Sequence, residues 1–242
     1  MSKVALCLHG LFDSATDASS KGADGHIHIR KHILDQADVD VYIHSWDVDK
    51  QEQIRQLYQP KDIVVEPQRD YSDLIKANNL HKLQGCPRPV QTVLSHLYGV
   101  SAAIKLAYSS GKDYDVVVKA RFDLGRINRA TSKPGQQNPY PVQCINFTTN
   151  ILPNTLYMAD WNHFAMGPAD MWFYGDWHTM SPFTSLFDCY IDNLSLDGAF
   201  SQFATQVEGN PGDISNAVVF YKYWMIQNGL WHRRKTLPTS WE

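Results

Sequence analysis

The sequence of 242 residues lacks several features that would assign it to a specialised class of protein. It has 22 Lys and Arg residues against 25 Asp and Glu, so the formal net charge is −3 and no basic excess is present to bind nucleic acid. It contains no run of 18 consecutive apolar residues, and a helix that spans a membrane is therefore not expected. A soluble globular protein is the default expectation.

Motifs for disulfides and for nucleotide phosphates are also missing. The four cysteines are far apart and form no Cys-x-x-Cys pair, which predicts free thiols in a reducing compartment. The apolar stretch that ends at His9 is too brief for a signal peptide, so we expect a cytoplasmic location. No Walker sequence occurs, and Gly22–Gly25 is too short for a dinucleotide-binding fingerprint.

The first part of the sequence alternates between apolar runs and helical patterns. Strands are predicted at Val4–Leu8, Val39–Ile43 and Asp62–Glu66, with helices over 26–36 and 49–58 between them. This β-α-β-α-β order predicts a parallel sheet whose strands are joined by right-handed crossovers.

A long helix and a further buried strand come next. Between Pro89 and Ser110 apolar residues recur at helical spacing, and Gly111 stops the pattern. The run Val116–Ala120 then has the composition of a buried strand. The fold class that these elements predict is α/β, with a mostly parallel sheet flanked by helices.

The second half of the sequence is more irregular. A long loop over 125–142 is followed by two short strands, Cys144–Phe147 and Trp161–Met166, which predict a smaller antiparallel extension. Pro168 is placed to open a short helix, and further helices are predicted at 182–194 and 214–227, with a last strand at 230–235. We expect one domain over 1–242, whose nucleotide-binding half ends near residue 124 and whose acceptor half covers 125–242.

A charged tip follows the strand Val116–Ala120. Lys119, Arg121 and Asp123 share one face of an extended chain, at the end of a strand where open α/β sheets place their ligands. The carboxylate can hold a divalent cation, and the two cations can neutralise phosphate. The structural alternative is a strand end closed by an ion pair of Arg121 with Asp123 or Asp115.

The order of several segments resembles a known family. Val4–Gly10, the strand that ends at Trp46, the helix with Gln91 and Ser95, and Tyr114–Leu124 are similar, in that order, to GT-A-type sugar transferases of bacterial and viral surface-polysaccharide clusters. Phe164-Ala-Met-Gly167, with Asp170 shortly after it, resembles a later segment of that family. The resemblance implies a GT-A-like, Rossmann-type sheet and a transferase that takes a sugar from a nucleotide-diphosphate sugar to a glycan or another hydroxyl acceptor.

The same resemblance implies roles for individual residues. His9 and Gly10 would lie against the base or ribose of the nucleotide, and Gln91 and Ser95 would face the same pocket. Lys119 and Arg121 would approach the diphosphate, and His232, Arg233 and Arg234 would close over it as it leaves.

The metal and the catalytic base are implied in the same way. Asp123 would hold Mn²⁺ or Mg²⁺, with His232 as a second candidate ligand. The base that deprotonates the acceptor would be Asp160 or Asp170, if the reaction inverts the anomeric centre.

Two other functions compete with the transferase. Leu8-His-Gly-Leu resembles the oxyanion loop of α/β-hydrolases, and Ser101 with His232 would then be nucleophile and base. Ser101, however, falls within the predicted helix with no strand directly before it. The other alternative is a carbohydrate-binding protein without catalytic activity on the same fold.

Overall fold

The chain folds into short, mostly buried strands separated by helices. In the computed structural model the residues described are 2–13, 22–82, 89–127, 141–142, 144–160, 166–208 and 214–238. The strands of the main sheet are β1 (Lys3–Gly10), β2 (Asp38–Ser45), β3 (Asp62–Val65), β4 (Val116–Arg121), β7 (Leu156–Asp160), β8 (Trp172–Gly175) and β9 (Arg234–Pro238). Two further short strands, β5 (Arg126–Ile127) and β6 (Pro141–Val142), pair antiparallel as a separate small sheet.

The α-helices are α1 (Gly22–Ile29), α2 (Gln51–Tyr58), α3 (Ser72–Ala77), α4 (Val90–Ser109), α5 (Trp177–Met180), α6 (Leu186–Asp192), α7 (Ala199–Glu208) and α8 (Ala217–Gln227). A π-helical turn, Arg30–Leu34, continues α1, and 3-10 turns precede α2 and β9 at Val48–Lys50 and Trp231–Arg233. Among the described residues no helix is both long and apolar enough to cross a membrane.

The strand order of the seven-stranded sheet is β3-β2-β1-β4-β8-β7-β9. β1 pairs parallel with both β2 and β4, so the chain first moves outward to β3 and then returns to the other side of β1. Only β8, within the described part of this sheet, runs antiparallel to its neighbours. The predicted α/β class with a mostly parallel sheet is confirmed.

Both faces of the sheet are covered, because its central strands carry mostly apolar residues on both sides. Residues 4–9 of β1 and 116–120 of β4 are buried throughout. Cys7 and Val117 face α4, whereas Leu6 and Val118 belong to the core on the opposite face. Full burial of a Leu or Val side chain contributes roughly 2 kcal/mol, so this doubly buried centre anchors the whole sheet.

Two predictions for the second half are wrong. Pro168 opens no helix: residues 167–171 are irregular and lead into β8, whose four residues are all buried between β4 and β7. Cys144–Phe147 forms no strand. The predicted strand at Trp161–Met166 lies almost entirely outside the described residues.

Candidate functional site

A cavity of about 430 Å³ opens at the carboxyl ends of β1 and β4. The strand order reverses between these two strands, and such switch points are where open α/β sheets bind ligands. Its walls come from the ends of β1 and β2, the first turns of α4, the end of β4, the approach to β8, and the start of α8. The polar side chains in the wall are those of His9, Gln68, Thr92, Ser95, His96, Arg121, Asp123, Asp170, Ser215 and Asn216.

Arg121 links two carboxylates at the floor of this cavity. Its Nε and Nη2 lie 2.8 and 2.7 Å from the two oxygens of Asp123, and its Nη1 lies 3.3 Å from both oxygens of Asp170. The backbone N–H of Arg121 donates to the carbonyl of Met171, which fixes Asp170 beside β4. Burial is the largest single influence and opposes the charge of Asp170, but Arg121 and the smaller contributions of its other neighbours together outweigh it and hold the pKa of that carboxyl well below its usual range.

Lys119 lies beneath the cavity and takes no part in its wall. Alternation along β4 puts Lys119 on the same face as Arg121, and its side chain is fully buried. Nζ donates to the backbone carbonyl of Asp170 and lies 5.0 Å from the ring centre of Phe173. Burial lowers the pKa of this ammonium to about 7.

Two histidines form the wall between β1 and α4. The ring centres of His9 and His96 are 5.1 Å apart in an edge-on contact. His96 Nε2 lies 3.1 Å from the hydroxyl of Tyr221 and 3.5 Å from Asp170, whereas neither ring nitrogen of His9 has a hydrogen-bond partner among the described residues. Burial is the main cause that lowers the pKa of both rings, to about 3 for His96, so both are neutral near pH 7.

The end of β2 supplies an aromatic and polar side. The backbone N–H of Trp46 and the hydroxyl of Ser45 both donate to the carbonyl of Gly10, which ties the ends of β1 and β2 together. Gly10 has a φ of +104°, a conformation that L side chains rarely adopt. Across the cavity Gln68 donates to the hydroxyl of Ser95 at 2.8 Å. This side combines a flat indole with amide and hydroxyl groups, which suits a planar polar ligand.

The start of α8 closes the cavity opposite these strands. The side chain of Asn216 caps the helix by accepting from the N–H of Val218 at 3.0 Å. Gly167 packs against this turn so closely that a Cβ on it would overlap the carbonyl of Val218. The positive end of the helix therefore faces the cavity, held in place by a glycine.

Six of the predicted site residues line the cavity: His9, Gly10, Ser95, Arg121, Asp123 and Asp170. Gln91 does not, because its side chain bonds the backbone of the preceding loop, accepting from Tyr71 N–H and donating to the carbonyl of Arg69. Asp160 is exposed at the carboxyl end of β7. β7 lies two strands from β4 in the sheet, so Asp160 is about 10 Å from Arg121 across the strands.

The three predicted residues near the C-terminus lie elsewhere. β9 runs parallel to β7, and Arg234 at the start of β9 pairs with Leu156 at the start of β7. These are the amino ends of the strands, whereas the cavity lies at the carboxyl ends. His232 and Arg233 precede it in an exposed turn, and Arg234 stacks on the ring of Trp231. Arg233 and Arg234 therefore lie away from the cavity in this structure, and their approach to a diphosphate stays a prediction.

Sequence reasoning missed His96, Trp46 and Asn216. A usable signal existed for Trp46, which directly follows an apolar strand. His96 follows Ser95 on a helix whose pattern is dominated by core residues, and Asn216 depends on the true start of α8. Neither could be assigned to the cavity without the packing of the two helices.

The donor set does not fit a divalent cation as the residues are arranged. Both oxygens of Asp123 accept from Arg121, and the guanidinium lies between the two carboxylates. No group of three His, Cys, Asp or Glu side chains placed to hold a metal occurs among the described residues. Asp123 as a metal ligand stays a prediction, and His232 is not near it.

The hydrolase arrangement is absent from this region. Ser101 lies in the middle of α4 and is buried. Its hydroxyl donates to the carbonyl of Phe183 at 3.1 Å and accepts from the N–H of Phe187 at 3.0 Å, so it joins two elements of the core. His232 is exposed at the opposite sheet edge, and the pair cannot act as nucleophile and base.

Comparisons with known proteins add little to this geometry. No protein-family model matches the chain, and no curated protein matches it. Among solved structures, mouse xyloside xylosyltransferase 1 in its apo form is similar at a TM-score of 0.43 and 9% sequence identity, covering 98% of this chain and 84% of that one. A likeness this weak carries no argument, so the assignment of function rests on the cavity.

Proposed function

We propose that this protein is a glycosyltransferase that moves a sugar from a nucleotide-diphosphate sugar to a hydroxyl acceptor. The observation that carries the proposal is the cavity at the switch point between β1 and β4, which brings together an aromatic side at Trp46, the cation of Arg121 and the ionised carboxylate of Asp170. These are the group types that a nucleotide, a diphosphate and an acceptor hydroxyl require. A surface-polysaccharide glycan as acceptor and a cytoplasmic location belong to the proposal through the sequence resemblance and the widely spaced cysteines.

The reaction is a displacement at the anomeric carbon. The acceptor oxygen forms a bond to that carbon, the bond from the carbon to the diphosphate oxygen breaks with its electron pair on the diphosphate, and the hydroxyl proton goes to a base. Arg121 is placed to stabilise the departing negative charge. Of the two candidate bases only Asp170 lines the cavity, so we assign the proton to its carboxylate.

The base or ribose of the donor is assigned to the side formed by β1 and β2. Gly10 leaves room for close approach, because no atom lies within 4 Å of the position a Cβ would take. Trp46 lines this side, although most of its surface is buried. The amide nitrogen of Gln68 bonds Ser95, and its carbonyl oxygen has no partner among the described contacts.

The proposal is tested by thermal unfolding with nucleoside diphosphates and with nucleotide sugars. A ligand at 100 times its Kd stabilises by about 2.7 kcal/mol, which corresponds to a rise in Tm of roughly 5–10 °C for a chain of this size. Uridine or guanosine diphosphate should give this rise and the free nucleosides much less. If no nucleotide or nucleotide sugar shifts Tm, the transferase is abandoned.

A second assay separates the enzyme from a binding protein. With the nucleotide sugar that binds best, Asp170→Asn should lower transfer by roughly 100-fold or more, the usual contribution of a general base, while Asp160→Asn leaves transfer unchanged. A carbohydrate-binding protein would instead be stabilised by glycan alone and would release no nucleoside diphosphate. Equal losses in both variants would contradict the assignment of Asp170.

A further inference from the structure

We infer that Arg121 supplies the positive charge that a divalent cation would otherwise bring to this cavity, so that the protein binds its diphosphate ligand without a metal ion. The inference rests on the proposed function for the nature of the ligand. It contradicts the expectation of Mn²⁺ or Mg²⁺ at Asp123, and it follows from the position of one guanidinium between two carboxylates.

The guanidinium holds the oxygens that a metal would need. Asp123 engages Arg121 through two parallel hydrogen bonds of 2.7 and 2.8 Å, and Asp170 lies within 3.3 Å of Nη1 through both of its oxygens. A Mg²⁺ or Mn²⁺ ion needs carboxylate oxygens at about 2.0–2.2 Å. The ion would have to share these oxygens with a bidentate charged pair or displace it, and in either case it would lie against the cation of Arg121.

The surroundings carry little surplus of negative charge to attract a metal. Asp123 and Asp170 are opposed by Arg121 in the wall and, below its pKa of about 7, by Lys119 directly beneath it. The remaining imidazoles, His9 and His96, lie among these cations. At His9, after burial, the positive charges of Lys119 and Arg121 lower the pKa of the ring, whereas at His96 the negative charge of Asp170 opposes them. A field that disfavours a proton on the His9 ring also disfavours a divalent ion beside it.

Arg121 keeps capacity for a ligand while it holds both carboxylates. A guanidinium has five N–H donors, and the described contacts use one on Nε, one on Nη2 and those of Nη1. One N–H of Nη2 is left over, and a third of the side chain is exposed toward the cavity. The N-terminal turn of α8 faces the same space and adds the positive end of its backbone dipoles.

Manganese binding measured by electron paramagnetic resonance tests this directly, because the signal of free Mn²⁺ reports binding without any substrate. Wild-type protein should leave the Mn²⁺ signal unchanged. R121Q replaces the cation with a shorter, neutral amide, so the two released carboxylates should bind Mn²⁺ about tenfold or more tightly than wild type does. Asp123→Asn in the R121Q background should remove the new site.

The matched control is R69Q. Arg69 is an arginine in an ion pair with Glu66, but neither side chain lines the cavity, so R69Q should gain no Mn²⁺ site. Circular dichroism establishes that each variant is folded. If R121Q fails to fold, R121M takes its place, since it also removes the positive charge and binds neither carboxylate.

A second measurement links the cation to the ligand. Calorimetric titration with uridine diphosphate and with pyrophosphate should give wild-type Kd values that agree in EDTA and in Mn²⁺, and R121Q should bind either probe only when Mn²⁺ is present. Tight Mn²⁺ binding by wild type, or a folded R121Q that gains no site, overturns the inference. If no nucleotide binds at all, the proposed function fails, while the Mn²⁺ result still decides the role of Arg121.

Discussion

The ammonium of Lys119 donates a hydrogen bond to the backbone carbonyl of Asp170, across the junction of β4 and β8. Two positions further along β4, Arg121 binds the carboxylate of the same residue. One strand thus holds both the backbone and the side chain of Asp170. This arrangement buries the ammonium of Lys119 with no carboxylate in direct contact. Burial of the charged form lowers the unfolding free energy, and the free energy therefore depends on pH.

Lys119→Met should change this pH dependence. The unfolded chain keeps the lysine proton up to about pH 10, whereas burial lowers its folded pKa to about 7, so the unfolded state binds more protons between these values. The unfolding free energy of wild type should therefore rise with pH over this interval by up to about 4 kcal/mol relative to Lys119→Met. Urea denaturation at pH 7 and pH 9.5 measures the difference.

The control for that experiment is Lys105→Met. Lys105 is half-exposed and pairs with the exposed Asp188, so its replacement should leave the slope of wild type unchanged. A Lys119→Met protein with the same slope as wild type would show that Lys119 is solvated in the folded protein.

Asp170→Asn should make the protein less sensitive to acid. The folded pKa of Asp170 is held well below the value in the unfolded chain, so its contribution is present above about pH 4 and is lost as pH falls below that. Wild type should lose roughly 1–3 kcal/mol more than Asp170→Asn between pH 5 and pH 2. Unfolding by urea across this range gives the comparison, and Asp188→Asn at the surface is expected to follow wild type.

Gly167→Ala should disturb the start of α8. Its new Cβ meets the backbone carbonyl of Val218, which cannot rotate away as a side chain would. We expect a loss of roughly 2–4 kcal/mol and weaker binding of uridine diphosphate, because the turn that faces the cavity must shift. Thermal unfolding with and without the nucleotide measures both effects.

Gly111→Ala is the matched control for that change. Gly111 has a φ of +68° in the turn after α4, and a Cβ there has open space around it. Strain alone should cost about 1 kcal/mol and leave nucleotide binding as in wild type. If both variants bind the nucleotide like wild type, Gly167 has no part in shaping the cavity.

Ser101 should not react with fluorophosphonate probes. Its hydroxyl is committed to the backbone of Phe183 and Phe187 within the core, and no base lies beside it in the described structure. Ser101→Ala should keep transfer activity and cost about 1–2 kcal/mol, because a buried N–H loses its acceptor. Labelling of wild type that disappears in Ser101→Ala would restore the hydrolase.

The sequence predicts the central sheet well, because the signal there is local. Val116–Ala120 is buried on both faces and apolar except at Lys119, and the observed strand differs from it only by including Arg121. The helix predicted from Pro89 to Ser110 is observed at Val90–Ser109. In both segments burial alone determines the pattern, so composition and period identify the element.

The site could be predicted only in part. Polar residues at the ends of β1 and β4, such as His9 and Arg121, follow from the rule for parallel strands. The position of Arg233 and Arg234 could not be predicted for a physical reason. A strand of known sequence can pair with its neighbour in either direction and register, and the local pattern does not report which. Likewise, no local pattern shows that the N–H groups of Arg121 would donate hydrogen bonds to both Asp123 and Asp170.

The central position of β1 also governs how the protein acquires its cavity. Lys3 bonds Asp115, 112 residues away, and β1 then pairs along its length with β4. Bringing such distant segments together requires closing a long loop. The entropy lost on closure comes before the stabilising contacts form, and this slows folding. The walls of the cavity at β1 and β4 depend on this one pairing, so a nucleotide should bind there only when the native sheet is complete. The rate at which refolding protein gains nucleotide binding should therefore equal the rate at which the sheet forms.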